Sequence, residues 1–290
     1  MYKNSGEISI NESGYELKVH GDLFYPVGCY QGDITKNFVI WHCHDELEVI
    51  IVKKGAIKIS AGQNEAVLSE GEGCFINSNV FHAIYRTELE NSLLRSFVFH
   101  TNLIGDKNSV YFRKYVKPII ENKNQQFVIF NDENIISTIH RAWIAEAEET
   151  PGFEFEVREA LSKIIYLLST DNDEKISTLT NKELRDIERT KLMMNYMESN
   201  FASNLNLDQI AKVTLLSKDE CIRCFKRSTG KSPMQFLKQY RLFRAAELIR
   251  STRLNISSIA EQCGFIDMSY FARSFKQIFN ESPTEYRNKY

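Results

Sequence analysis

The chain has 290 residues, 43% hydrophobic and 26% charged, the composition of a soluble globular protein with room for about two domains. No stretch approaches the about 18 consecutive apolar residues of a membrane span, which excludes that class. The net charge of −2, which taken whole argues for no acidic partner, hides an asymmetry: residues 190–290 carry 16 Lys and Arg against 9 Asp and Glu (+7), and residues 1–189 carry the other 20 against 29 (−9).

Residues 1–14 are polar and lack the apolar core of a secretory signal, so a cytoplasmic protein is expected. The cysteines Cys29, Cys43, Cys74, Cys221, Cys224 and Cys263 sit inside apolar patterns, as reduced, buried thiols do. Cys221 and Cys224 have redox or zinc spacing, but no second pair completes a site, and packing is the expected role.

From about residue 15 to 100 the pattern is of short strands, at 38–42, 46–52, 56–60, 66–69, 73–76 and 94–99, separated by Lys, Gly, Asn and Glu turns. Strands at this spacing predict a sandwich or barrel. Within them, alternation along one strand places His42, His44, Glu46 and Glu48 on one face and Trp41, Cys43, Leu47 and Val49 on the other. Three readings of the polar face stay open. His42, His44, Glu48 and a later His82 would suit a divalent metal. All five polar residues would equally hydrogen-bond a small polyhydroxylated ligand, or be satisfied interior groups with no ligand.

From about 109 the period becomes helical. Ile135, Ile136, Ile139, Trp143, Ile144 and Ala147 form one stripe, Pro151-Gly152 breaks it, and Val157, Leu161, Ile164, Ile165 and Leu168 form another. This pair would cover one side of the barrel, and apolar surface left over on it would either serve a two-fold homodimer or be satisfied within one chain. Polar residues 171–186 read as a linker, and 187–201 as an amphipathic helix opening a second domain at 187–290.

That domain repeats itself. Arg223-Cys224-Phe225-Lys226 and Ser232-Pro233-Met234-Gln235-Phe236 return as Arg273-Ser274-Phe275-Lys276 and Ser282-Pro283-Thr284-Glu285-Tyr286. Each copy follows an Ile-Ala pair, Ile210-Ala211 and Ile259-Ala260. A short helix, a tight turn and a helix bearing Arg and Lys predict two helix-turn-helix units, at about 207–229 and 256–279. Ser217 and Asp267 are placed to cap the second helix of each unit. Ser232 and Pro233 open a connecting helix to about residue 250. That helix is about 28 Å long, close to the roughly 34 Å that separates major grooves on one face of DNA.

The run 259–276, closing with 282–287, resembles the AraC/XylS family of transcription regulators, a likeness extending over about 189–287. The resemblance implies base reading by Asp219, Ile222 and Arg223 in the first unit and by Ser269, Tyr270 and Arg273 in the second. Lys218, Lys226, Arg227 and Lys276 are better placed for phosphates, which position without specifying. One departure concerns Leu215, which stands in the first turn where the family usually has a small residue, often Gly.

His42 to Glu48, followed by Gly55, fits the first cupin motif. The second is looser, with Asn77 and Asn79 where Pro and Gly are usual and Arg86 for the closing Asn. The segment through about Phe99 resembles the cupin-type arabinose-binding domain of many AraC-type regulators, which makes a carbohydrate the leading ligand and a resident metal cofactor the less favoured reading. The expected fold is α+β: a cupin-like β-barrel with a helical pair (1–170), a linker, then an all-α domain. The expected function is a DNA-binding regulator of promoters, by family tendency an activator working with RNA polymerase, without membrane attachment. A metal-dependent cupin enzyme and a ligand-independent DNA binder are the alternatives.

Overall fold

The computed structural model describes residues 3–4, 20–22, 24–34, 38–87, 91–170 and 178–289. The chain divides into two compact units, the first running to Ile187 and the second starting at Glu188. Residues 171–177, which hold half of the charged residues of the expected linker, lie outside the described residues.

The first unit is built on two sheets. One has the order β1 (Lys3–Asn4), β2 (Val27–Asp33), β9 (Leu93–Phe99), β4 (Leu47–Lys54), β7 (Gly73–Ile76), β10 (Phe127–Phe130). The other has the order β3 (Val39–His42), β8 (His82–Arg86), β5 (Ala56–Ala61), β6 (Asn64–Ser69). Period-two alternation sorts the side chains. Ile50, Val52, Cys74, Ile76 and Leu94 of the larger sheet meet Val39, Ile57, Ile59, Leu68 and Ile84 of the smaller in one core.

The opposite face of the larger sheet, with Leu47, Val49, Ile51, Phe75, Phe97 and Phe99, is covered by helices. After α1 (Lys117–Glu121) come α2 (Glu133–Ala147) and α3 (Phe153–Thr170), which bring Ile139, Trp143, Val157, Leu161, Ile164 and Ile165 onto it. Asp132 caps α2 by accepting from the Asn134 and Ile135 amides, and the Trp143 indole donates to the Tyr30 carbonyl at 2.9 Å. Because β4 is covered on both faces, its sequence is an apolar run, and Glu48 is the single acidic residue buried in it.

Four strands escaped the sequence pattern, the two-residue β1 among them. β2 holds two glycines, β8 has only Ala83 and Ile84 as apolar residues before Tyr85, and β10 pairs with β7 across about fifty intervening residues. The single strand expected through residues 42–48 is also corrected. β3 ends at His42 in one sheet and β4 begins at Leu47 in the other, with a bend at Asp45 and Glu46 between them. Alternation along one strand therefore does not describe this motif.

The second unit is helical. α4 (Asn181–Ser199) starts six residues before the expected helix, inside the stretch read as linker, where Thr180 and Glu183 bond each other reciprocally at its start. It is followed by α5 (Leu207–Val213), α6 (Lys218–Thr229), α7 (Pro233–Ser251), α8 (Ile256–Gln262), α9 (Met268–Phe279) and α10 (Pro283–Lys289). Helix α7 runs through the middle of the unit, burying Phe236, Leu237, Leu242, Phe243, Ala245, Ala246 and Ile249.

The internal repeat has a physical meaning at each shared position. Ser232 with Gln235, and Ser282 with Glu285, form reciprocal caps that start α7 and α10 with Pro in the first turn. Phe236 and Tyr286 then pack edge-on against Phe225 and Phe275, with centroids 5.5 and 5.4 Å apart. Gly230 and Asn280 close α6 and α9 in the left-handed conformation. Helix α10 was visible in the sequence only as a repeated motif, and its cap is what makes it a helix.

Candidate functional site

Inside the first unit, His42, His44, Glu48 and His82 bring one ligand atom each to within 4.8 Å of one another, and all four residues are buried. They arrive from both sheets. His42 closes β3 opposite His82 on β8, His44 follows in the connection, and Glu48 points inward from β4 beside Ile50. The His82 and His44 Nε2 atoms lie 3.1 and 3.5 Å from Glu48 Oε2.

Each imidazole is oriented from behind. Nδ1 of His42, His44 and His82 lies 2.9, 3.2 and 2.8 Å from the carbonyls of Ile40, Glu46 and Val80. A carbonyl only accepts, so each Nδ1 carries a proton and donates. Burial alone would raise the Glu48 carboxyl, but His44 and His82 beside it hold it well below the ordinary carboxylate range.

Glu46 does not join this group. Its carbonyl orients His44, and its carboxylate lies 3.7 Å from the Nδ1 side of that ring, facing away from the shared center. Asn77 and Asn79, the departures in the second motif, have structural work. Asn77 is buried and donates to the Ile119 carbonyl at 2.8 Å, and Asn79 sits at φ 61, the left-handed conformation a glycine would supply. His20 was missed in the sequence. Its ring stands 5.3 Å from that of His44 and bonds the Tyr30 hydroxyl at 2.8 Å, a neighborhood that no local motif announces.

A second polar feature of this unit is a cleft of about 270 Å³ lined by Tyr25, Gly28, Tyr30, Glu146, Glu149 and Phe153. The Tyr25 hydroxyl donates to Glu146 Oε2 at 2.9 Å. Burial pushes the Glu146 carboxyl up to about 7, against the opposing pull of the Tyr25 hydrogen bond.

In the second unit, Ser217 and Asp267 cap α6 and α9 by accepting from the Glu220 and Tyr270 amides. On α6, Lys218, Asp219, Arg223 and Lys226 are exposed, and Ile222 and Arg227 are half-buried. On α9, Ser269, Tyr270, Arg273 and Lys276 are all exposed. Neither arginine turns inward. The turn before α6 closes with Leu215 at φ 55 and 94% exposed, where the matching turn before α9 uses Gly264 at φ 77.

Three of the α6 cations, Lys218, Arg223 and Arg227, are already paired with acids of the same unit, which sequence reasoning missed. Glu220 takes Arg223 at 2.9 Å and Arg227 at 2.8 Å, and these hydrogen bonds hold its carboxyl down at about 2. Lys218 pairs with Asp208 at 2.7 Å. Arg273 instead donates to the Ser269 carbonyl of its own helix and has no acidic partner among the described residues.

A sheet unit with an interior polar cluster, joined to a basic unit with two capped and exposed reading helices, defines a ligand-controlled DNA-binding regulator. Residues 24–105 match the AraC-like ligand binding domain and residues 210–289 match a helix-turn-helix domain. This chain belongs to the AraC family of transcriptional regulators. It is 25% identical to the HTH-type transcriptional regulator YdeC of Bacillus subtilis, over 96% of this chain and 97% of that one. It is 27% identical to the HTH-type transcriptional activator RhaS of Escherichia coli, over 85% of this chain and 86% of that one. Among solved structures, ToxT from Vibrio cholerae superposes over 90% of this chain and 96% of its own, with 16% identity and a TM-score of 0.47. No helix among the described residues is long and apolar enough to cross a membrane.

Proposed function

We propose that this regulator is a cytoplasmic activator that reads two adjacent major-groove segments of its promoter with α6 and α9, under control of a small molecule in the first unit. Asp219, Ile222, Arg223, Ser269, Tyr270 and Arg273 face the bases, and Lys218, Lys226, Arg227 and Lys276 face the phosphates. The observation that carries this is the exposed start of α9, where Ser269, Tyr270 and Arg273 lie together, fixed by the Asp267 cap. The net charge of +7 on residues 190–290 supplies attraction for the duplex.

The effector is a hydroxyl-rich small molecule, with carbohydrate as the leading class, recognized around His42, His44, Glu48 and His82. The active form is a homodimer. Phe155 and Tyr166, 80% and 55% exposed, lie three turns apart on one face of α3 and offer a self-complementary patch. RNA polymerase is the partner that activation requires. The relatives are transcription regulators and not enzymes, which favors sensing over catalysis at the buried cluster.

The test is a reporter driven by the native promoter, with a panel of sugars and sugar acids. One sugar should raise transcription with the wild-type chain and leave it at background with Arg273→Ala. Transcription that falls when the wild-type chain is present would make it a repressor, and identical profiles for the two chains would remove Arg273 from base reading.

A further inference from the structure

We infer that the cleft between the start of β2 and the turn joining α2 to α3 is a second ligand site, for a small organic ammonium ion. Glu146 is its counter-ion, and the Tyr25 and Phe153 rings are its walls. The cleft shares no lining residue with the cluster of His42, His44, Glu48 and His82, so it does not rest on the effector reading.

The lining favors positive charge. It holds three carboxylates, those of Asp22, Glu146 and Glu149, and no Lys, Arg or His among the described residues. Glu146 stands in the last turn of α2, where the helix carbonyls gather partial negative charge and no basic side chain answers them. Burial pushes its carboxyl up to about 7, and an ammonium ion beside it would favor the ionized form. The Tyr25 hydroxyl donates to Oε2 at 2.9 Å, which fixes the carboxylate and leaves Oε1 for a second donor.

Aromatic rings beside an acid recognize organic cations, because the ring faces carry partial negative charge. Tyr25 and Phe153 meet edge to face with centroids 5.6 Å apart. Both are held from behind. Asp22 Oδ1 accepts from the Phe24 and Tyr25 amides at 2.7 and 2.8 Å, and the Phe153 amide donates to the Thr150 carbonyl at 3.0 Å. An anion would face three carboxylates here. A neutral polyol would bond Glu146 but bring no charge to offset its burial, whereas an ammonium supplies donors and charge together. At about 270 Å³ the cleft is smaller than the roughly 300–1,000 Å³ of drug-sized pockets, which suits an amine of a few carbons. Occupancy would tie the α2–α3 turn to β2, since Glu146 and Phe153 come from either side of that turn and Tyr25 leads into the strand.

Isothermal titration of the full chain at pH 8 uses ethanolamine and putrescine as probes, with ethylene glycol and 1,4-butanediol as neutral counterparts of the same length. At least one amine should bind at one per chain, and its diol at least tenfold more weakly. Glu146→Gln should weaken amine binding at least tenfold, while Glu133→Gln, the same change at the far end of α2, should leave it unchanged. A folded wild-type chain that binds neither amine overturns the site, and so does equal affinity for amine and diol. Undiminished binding by Glu146→Gln overturns it as well. An equal loss in both variants would mean general attraction to a negative surface, which also ends the proposal. Should Glu146→Gln fail to fold by circular dichroism, Phe153→Leu decides: losing the ring should weaken binding about threefold or more, and unchanged affinity overturns the site. Sugar titrations of the same chain keep the two readings apart. An amine response without a sugar response keeps this site and sinks the carbohydrate effector, and the reverse keeps the effector and sinks this site.

Discussion

Arg223 reaches the surface of α6 with its guanidinium engaged, Nε and Nη2 lying 3.0 and 2.9 Å from Glu220 Oε2. The same carboxylate holds Arg227, so one acid occupies two cations of α6. Any base contact by Arg223 must exchange this pair for one with guanine, whereas Arg273 has no such competitor among the described residues. Arg273→Ala is therefore expected to cost about 1–3 kcal/mol of specific binding and Arg223→Ala distinctly less. Glu220→Gln should tighten binding several-fold and steepen its salt dependence, since Arg227 is released to the phosphates and Arg223 to the bases. Fluorescence anisotropy on promoter DNA over a salt series measures all three. A Glu220→Gln chain that binds more weakly would mean that the acid positions Arg223 and does not hold it back.

Glu146 carries the other residue-scale consequence. Its carboxyl titrates at about 7 in the folded chain against an ordinary 4.5, because burial disfavors the charged form. Between those values the folded chain keeps a proton that the unfolded chain has released, so this group's contribution falls as pH rises. The loss across the window is up to about 3 kcal/mol, and Glu146→Gln, which keeps an acceptor for Tyr25, should flatten it. Urea unfolding of both chains at several pH values isolates the difference. Parallel pH profiles would assign the Glu146 carboxyl an ordinary titration.

At the scale of the element, the two turns of the repeat solve one backbone problem with different residues. Gly264 adopts its positive φ without strain, and a Cβ there would meet the Phe201 and Ala202 carbonyl oxygens at 2.8 and 3.0 Å. Leu215 adopts it with a side chain that costs about 1–2 kcal/mol in that region. Gly264→Ala should destabilize the helical unit by about 2 kcal/mol or more, while Leu215→Gly should leave it unchanged or gain up to about 1 kcal/mol. Helical circular dichroism during urea unfolding reads both. Equal losses would mean that Leu215 makes a contact its exposure conceals.

The helix starts were legible in the sequence because capping is local chemistry. Ser217, Ser232 and Asp267 act within three residues of their own positions, and each caps the helix it was expected to cap. Strand β7 was readable from its turn residues, while β2 and β8 were not, since their glycines and polar ends hide the alternation. The polar cluster was half legible. Spacing pointed to His42, His44, Glu48 and His82, but only the crossing between sheets shows that Glu46 turns away and that His20 stands close. Tyr25 and Glu146, 121 residues apart in sequence, left no local sign at all.

For the whole molecule, the proposed two-groove reading requires the helical unit to act on DNA as a rigid rule. Helix α7, 19 residues and about 28 Å long, ties the α6 and α9 units together through a continuous buried face. Two reading helices joined in this way engage adjacent grooves only when their target segments share one face of the duplex, about one turn of 10–10.5 base pairs apart. Inserting five base pairs between the segments turns the second groove to the far side, beyond the reach of a spacer that does not bend. Affinity should fall to that of one unit, and Arg223→Ala and Arg273→Ala should no longer both weaken binding to the altered site, because only one unit remains seated. On the natural spacing both substitutions should count. If the inserted site bound as tightly as the natural one, with both arginines still contributing, α7 would have to flex, and simultaneous reading of two grooves through a stiff connector would be wrong.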